Sequence, residues 1–272
     1  MITQWKRQAV KGGGIFNRKA NCNYVANDAQ IKELHVVKNI NLNLRVGLEV
    51  GGAPLMWERV LREALPEIRK QVPAGSKVLE VGYGDGLLSC YLCKELGWKI
   101  VGLEVSKKSH STALEHAQRF GLAKQIDFYC CAPEDICNYQ GNYDAVFIKT
   151  VLYNSSTLYE YAKWLDWIAS ILRPGGVFIN FETGRANGLT QIYRRLRQRS
   201  YTTLCLYTGE VETLYDERFE IIERRYYGGL SQFFALFPPL YFLISRIEEV
   251  IQKRHANNSF IVSIIARRPI EE

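Results

Sequence analysis

The chain has 272 residues, 47% of them hydrophobic and 23% charged, with a formal net charge of +7. That length and balance exclude a disordered chain, a collagen and a small disulfide scaffold, and leave room for a large core in one or two domains. The longest apolar stretch, residues 233–244, is interrupted by Pro238 and Pro239 and falls short of the roughly 20 residues that span a bilayer.

The first 54 residues read as a cover segment. They hold Gly12-Gly13-Gly14 and an Asn/Lys-rich run, and up to residue 50 they carry eight Lys/Arg against three acids. No apolar signal core precedes them, and seven cysteines without framework spacing suit a reducing, cytoplasmic setting with free thiols. From Pro54 to residue 71 the apolar positions Leu55, Met56, Val60, Leu61, Leu65 and Ile68 recur at helical spacing. Short β-branched runs then alternate with helical patterns. Strands are predicted at 77–81, 99–105, 125–130, 143–149 and 177–181, with helices at 87–96, 107–120 and 157–172. Such alternation predicts a parallel sheet wound on both faces by helices. Pro174-Gly175-Gly176 reads as a turn. A basic helix follows at 189–199, within a stretch of five arginines and no acid from 185 to 199. Thr208 is placed to N-cap a helix reaching about residue 217, with Glu210 and Glu212 in its first turn. Strands at 219–227 and 259–267 close the pattern. Between them lies an aromatic-rich insertion, 228–258, ending in a charged helix at 245–254.

The chemistry concentrates in Val78-Leu79-Glu80-Val81-Gly82-Tyr83-Gly84-Asp85-Gly86, a strand running through a glycine loop into a helix. Glycines suit a sharp turn against which a ligand lies. Glu80 stands where a dinucleotide fingerprint has an apolar residue, and the third glycine comes one residue too early for that fingerprint. Glu104 ends the next strand, where a carboxylate can accept both hydroxyls of a ribose.

This loop resembles motif I of the class I S-adenosylmethionine-dependent methyltransferases, of the small-molecule type. The order of Glu104, Glu134-Asp135, Tyr143-Asp144-Ala145-Val146 and Leu172-Arg173-Pro174-Gly175-Gly176 extends the resemblance over about residues 55–268. It implies a Rossmann-like α/β fold: a doubly wound, mostly parallel seven-stranded sheet whose last strand is antiparallel. The main domain would be 55–272, with 1–54 as its cover and 228–258 as a lid-like insertion. It also implies S-adenosylmethionine as cofactor. Backbone of Gly82, Tyr83, Gly84 and Gly86 would face the methionine part, Glu80 its ammonium, and Glu104 with Val105 the ribose. Glu134 or Asp135 would meet the adenine where relatives have Asp in place of Cys131. Lys149 and Thr150 would flank the sulfonium, with the Lys149 ammonium turned away from it.

The acceptor side is less defined. Phe233, Phe234, Phe237, Tyr241 and Phe242 are an acceptor wall or simply the core of the insertion, and the same stretch suits a membrane surface or a second subunit of a homodimer. Tyr24, Met56, Trp57 and Tyr153 are positioned to reach the cofactor or the acceptor; helical spacing alone puts Met56 in the core. His110 and His116 read as exposed helix residues. His255 is the one histidine placed where a base would serve, and no catalytic residue follows from the sequence. Cys90 and Cys93 have no second pair to complete a metal site. The strand ending Ile148-Lys149-Thr150 lacks the Asn/Asp-Pro-Pro-Tyr run that positions a base amino group, which disfavours nucleic acid. The expected reaction is methyl transfer to oxygen or nitrogen of a small, partly hydrophobic metabolite, as in natural product biosynthesis. The alternatives are a protein, peptide or RNA methyltransferase using the basic helix, and a non-catalytic partner subunit.

Overall fold

The computed structural model describes residues 54–132, 143–185, 207–228, 231–234, 238–251, 257 and 259–270. Expectations for the cover segment with Tyr24, for Glu134 and Asp135, for the basic helix at 189–199, and for Phe237 and His255 fall outside these residues, as does the Phe233 side chain.

Helix α1 (Pro54–Gln71) opens on a proline, whose fixed φ and missing N–H suit a first turn. It buries Met56, Trp57, Val60, Leu61, Ala64, Leu65 and Ile68 along one face. Then β1 (Lys77–Val81), α2 (Leu87–Leu96), β2 (Lys99–Glu104), α3 (Lys107–Arg119), β3 (Ile126–Cys130), β4 (Tyr143–Lys149), α4 (Leu158–Ile171) and β5 (Leu172–Thr183) follow in strict alternation apart from the β3–β4 interval. The chain ends with α5 (Gly209–Asp216), β6 (Glu220–Tyr227), α6 (Pro238–Ile251) and β7 (Ile261–Arg267). The seven strands lie in the order β3-β2-β1-β4-β5-β7-β6. β7 runs antiparallel to both β5 and β6, and the other pairs are parallel.

Alternate strand residues feed two cores. Val78, Ile100, Ala145, Phe147, Ile179 and Phe181 pack with α1, α2 and α3 on one face. Leu79, Leu103, Val146, Ile148 and Phe178 pack with Tyr161, Leu165, Val211 and Tyr215 of α4 and α5 on the other. Both faces of the central strands are therefore dry, as a parallel sheet requires.

Several local expectations are corrected. β5 is continuous from Leu172, but its pairing with β4 jumps from Leu172 to Val177 and Gly175 is left-handed, so the expected turn at Pro174-Gly175-Gly176 is present and regular pairing resumes at Val177. Thr208 sits at the N-cap of α5, but its side chain makes no cap bond. Asn257 does that work from afar, its Oδ1 accepting from Gly209 N–H at 3.1 Å. The helix predicted at 245–254 begins at Pro238, because prolines break a helix only in its interior and are at home in its first turn. No helix among the described residues is long and apolar enough to cross a membrane.

Candidate functional site

The carboxyl ends of β1, β2 and β4 meet at one edge of the sheet, where open α/β sheets hold ligands. The glycine loop between β1 and α2 forms its rim. Gly86 is left-handed, and a Cβ there would lie 2.7 Å from Ala113 Cβ and 2.8 Å from Phe128 Cζ. Only glycine lets the loop press this closely on α3 and β3. Gly84 is also left-handed, at φ +60°, yet nothing lies within 4 Å of where its Cβ would be. That open side is where a ligand can rest on the backbone.

Glu104 is 6% exposed and clamped. Its Oε1 accepts from the N–H groups of Val105 and Ser106, both at 2.9 Å, and its Oε2 from Gly84 N–H at 3.1 Å. Two carboxylate oxygens have about four acceptor positions, so capacity remains for a further donor. Val105 is half-buried just past β2 and contributes backbone.

Glu80 is buried on β1, and its Oε2 has no hydrogen-bond partner. Burial raises its pKa to about 7. A buried carboxyl oxygen left without a donor is costly until one arrives. Lys149 ends β4 on the same face. Its Nζ stands 4.6 Å over the Trp57 ring, in the field of Glu80 and Asp85. Burial lowers its pKa to about 8, against the attraction of the two carboxylates. The ammonium lies against the Trp57 face, and Glu80 and Asp85 attract it. Trp57 is 5% exposed and serves as its lid.

Other expected residues are placed as follows. The Tyr83 ring is buried 4.3 Å from Phe128, centroid to centroid, so its backbone alone is available to the loop. Its hydroxyl bonds His110 Nδ1 at 2.7 Å. His116 Nδ1 donates to the Asp85 carbonyl at 2.8 Å. The two histidines are thus ties between α3 and the loop rather than exposed residues, a role that sequence spacing does not reveal. Thr150 has φ +52°, the only non-glycine residue with positive φ among those described. Tyr153 lies half-buried in a short 3-10 turn, Leu152–Asn154. Tyr241 is buried on α6, in the field of Arg59 of α1. Cys90 and Cys93 are buried in α2, burial pushing the Cys90 thiol up to about 12. No group of residues among those described is arranged to hold a metal ion.

Glu182, which the sequence reading passed over, lies fully buried near the carboxyl end of β5. Its Oε1 accepts from Thr183 N–H at 2.8 Å, and the amides of Leu152 and Tyr153 also bond to the carboxylate. Burial raises its pKa to about 8. The signal was available: Asn180 and Glu182 are polar at alternate positions of an otherwise apolar central strand.

The edge thus offers a buried carboxyl with one unpartnered oxygen for an ammonium and a clamped carboxylate for a diol. At the start of α2 the side chain of Asp85 already takes a helix amide, its Oδ1 accepting from Leu87 N–H at 3.2 Å. Residues 78–176 match the family described as a methyltransferase domain. Over that stretch the chain is similar to methyltransferase domains. S-adenosylmethionine has an ammonium and a ribose diol, and Glu80 and Glu104 are residues that fit these two groups.

Over 115 residues the chain is 38% identical to a ubiquinone biosynthesis O-methyltransferase of Chromobacterium violaceum, covering 42% of this chain and 47% of that protein. A structure of a putative sarcosine dimethylglycine methyltransferase from Galdieria sulphuraria superposes with a TM-score of 0.58 at 18% identity, over 84% of this chain and 94% of its own. The [4+2]-cyclase SpnF superposes with a TM-score of 0.55 at 19% identity, over 79% and 83%. The chain spans less than half the length of the curated relatives it matches. At these identities the solved structures establish the fold, and a cyclase among them means that the fold alone does not decide the reaction.

Proposed function

We propose that the protein transfers the methyl group of S-adenosylmethionine to an oxygen or nitrogen atom of a small, partly hydrophobic organic acceptor. The observation that carries this reading is the pairing of a buried Glu80 carboxyl whose Oε2 has no partner with a Glu104 carboxylate already clamped on Gly84. In this reading Glu80 holds the ammonium, and Glu104 with Val105 receives the ribose hydroxyls. Gly82, Tyr83, Gly84 and Gly86 line the cofactor with backbone, while Glu134 or Asp135 meets the adenine. When bound, S-adenosylmethionine supplies a methyl group already activated by its sulfonium, so the chain mainly aligns the acceptor and excludes water. Lys149, Thr150 and the Trp57 lid flank that point. The partly hydrophobic acceptor is supported by the ubiquinone biosynthesis O-methyltransferase relatives and by the aromatic-rich 228–258 insertion, which leaves β6 at the ligand-bearing end of the sheet. Tyr24, Trp57, Tyr153, Phe233, Phe237 and Tyr241 are its candidate contacts.

Calorimetric titration with S-adenosylmethionine, S-adenosylhomocysteine and NAD tests the cofactor. The first two bind and NAD does not; the reverse pattern, or no binding at all, removes the proposal. Glu104→Ala weakens cofactor affinity at least about tenfold, since a charge-assisted contact of roughly 1.5–3 kcal/mol is lost. Incubation with radiolabelled S-adenosylmethionine and a panel of phenols, catechols and amines then tests the acceptor. Label entering added protein or RNA instead of these small molecules would overturn the substrate class.

A further inference from the structure

Methylating an oxygen or nitrogen that bears hydrogen leaves a proton to be taken up. A group that takes it must stand at the transfer point and titrate near neutrality. Among the described residues at the ligand-bearing edge, burial brings Glu80 to about 7 and Lys149 and Glu182 to about 8.

Their places in the sheet separate them. Glu80, on β1, has an unpartnered Oε2 that the reading above commits to the cofactor ammonium. Glu182 belongs to the wrong face. Lys149 pairs in register with Phe181, whose ring packs in the core shared with α1, so the next residue of β5 points to the opposite face. There Glu182 lies in the field of Tyr161 and Tyr215 of α4 and α5. His110 and His116 are tied to the Tyr83 hydroxyl and the Asp85 carbonyl. Lys149 ends β4, on the Glu80 side of the sheet and one residue before the left-handed Thr150. The groups facing it are Glu80 from β1, Asp85 from the loop and the Trp57 ring from α1, 4.6 Å from Nζ. Withdrawal from water favours the neutral amine, while the two carboxylates and the aromatic face steady the ammonium once it forms. One residue thus has both states within reach.

We propose, on the cofactor reading above, that Lys149 is the proton acceptor of the methyl transfer, its neutral Nζ serving the hydroxyl or amino group that is methylated. The acceptor's O–H or N–H bond breaks and the proton joins the Nζ lone pair. The bonding pair stays on the acceptor atom, which takes the methyl group as the carbon–sulfur pair returns to sulfur.

Two ligands test this without an acceptor. Sinefungin carries an amino group on carbon where S-adenosylmethionine carries methyl on sulfur, and S-adenosylhomocysteine carries neither. Both are titrated by calorimetry at pH 8.5 into wild type, Lys149→Met and Lys149→Arg. Glu80 meets the same amino-acid ammonium in both ligands, so their affinity ratio isolates the group at the transfer point. In wild type Nζ accepts a hydrogen bond from the sinefungin ammonium, and the ratio favours sinefungin. It falls about fivefold or more in Lys149→Met, which has no basic nitrogen, and further in Lys149→Arg, whose cation keeps its charge. Equal losses for the two ligands in Lys149→Met would overturn the proposal, because a residue that only packs the site moves both. So would a higher ratio in Lys149→Met or an unchanged one in Lys149→Arg, either of which would show that the wild-type lysine is a cation there. Neither ligand binding to wild type would overturn the cofactor reading, and this proposal with it.

Discussion

Lys149 and Glu80 share a small buried space at the end of β4 and β1, and each alters the proton balance of the other. Burial lowers the Lys149 pKa to about 8 and raises that of Glu80 to about 7. In the reading proposed above, a cofactor ammonium comes to Glu80. Its arrival requires Glu80 to be ionised and places a second cation beside Lys149, which disfavours the charged lysine further. Both effects have one sign: binding releases protons, so affinity increases as pH rises from about 6 to 8. Calorimetry across that range shows the rise for wild type and a shallower one for Lys149→Met, in which only Glu80 titrates. Equal slopes would mean that Lys149 keeps its proton throughout. The sequence singles out both residues, but not the Trp57 contact of Lys149. Charge repulsion from a sulfonium can be anticipated from a motif; the Trp57 ring that holds the ammonium in place comes from a helix more than ninety residues away in the chain.

Elements were legible where one rule governs them. The alternation from β1 to α4 follows from period-2 and period-3.6 hydrophobic runs separated by glycines, and the structure keeps it nearly residue for residue. Errors gathered where two rules compete. Pro238-Pro239 reads as an interruption when the surrounding apolar run is taken as one segment, and as a helix start when it is not. Likewise Thr208 has the chemistry of a cap, but Asn257, some fifty residues later, supplies the bond. The loop after β4 was the least legible, since nothing in Lys149-Thr150-Val151 announces a left-handed threonine. A β-branched residue at φ +52° carries a cost of about 1–2 kcal/mol that glycine does not. Thr150→Gly is therefore neutral to stabilising, by about 0.5–1 kcal/mol after the added freedom of the unfolded glycine is counted. Chemical denaturation checks this; a loss of more than about 1 kcal/mol would show that the threonine side chain outweighs its backbone strain.

At the scale of the whole molecule, the sheet's two dry faces leave little tolerance for charge, and Glu182 lies between them under the 3-10 turn that follows β4. Its backbone donors favour the ionised form, but burial is the larger effect and raises its pKa to about 8. A carboxyl whose pKa is higher folded than unfolded holds its proton more tightly in the native state. Its contribution to stability is complete below the unfolded value of about 4.5 and is lost as pH rises through 8. Glu80 adds to the same trend with its smaller shift, whereas the lowered pKa of Lys149 acts oppositely, and only above about pH 8. Glu182→Gln removes one titrating group while keeping an oxygen for the Thr183 N–H. The variant and wild type should differ little at pH 5, and at pH 8.5 the variant should be the more stable by about 2 kcal/mol or more. Urea denaturation at the two pH values measures the difference. A constant gap between the two proteins would show that Glu182 is ionised in the fold at both pH values, held by the amides of Leu152, Tyr153 and Thr183. In that case the turn after β4, and the residues it carries to the site, would be fastened by a buried charge rather than by a neutral acid.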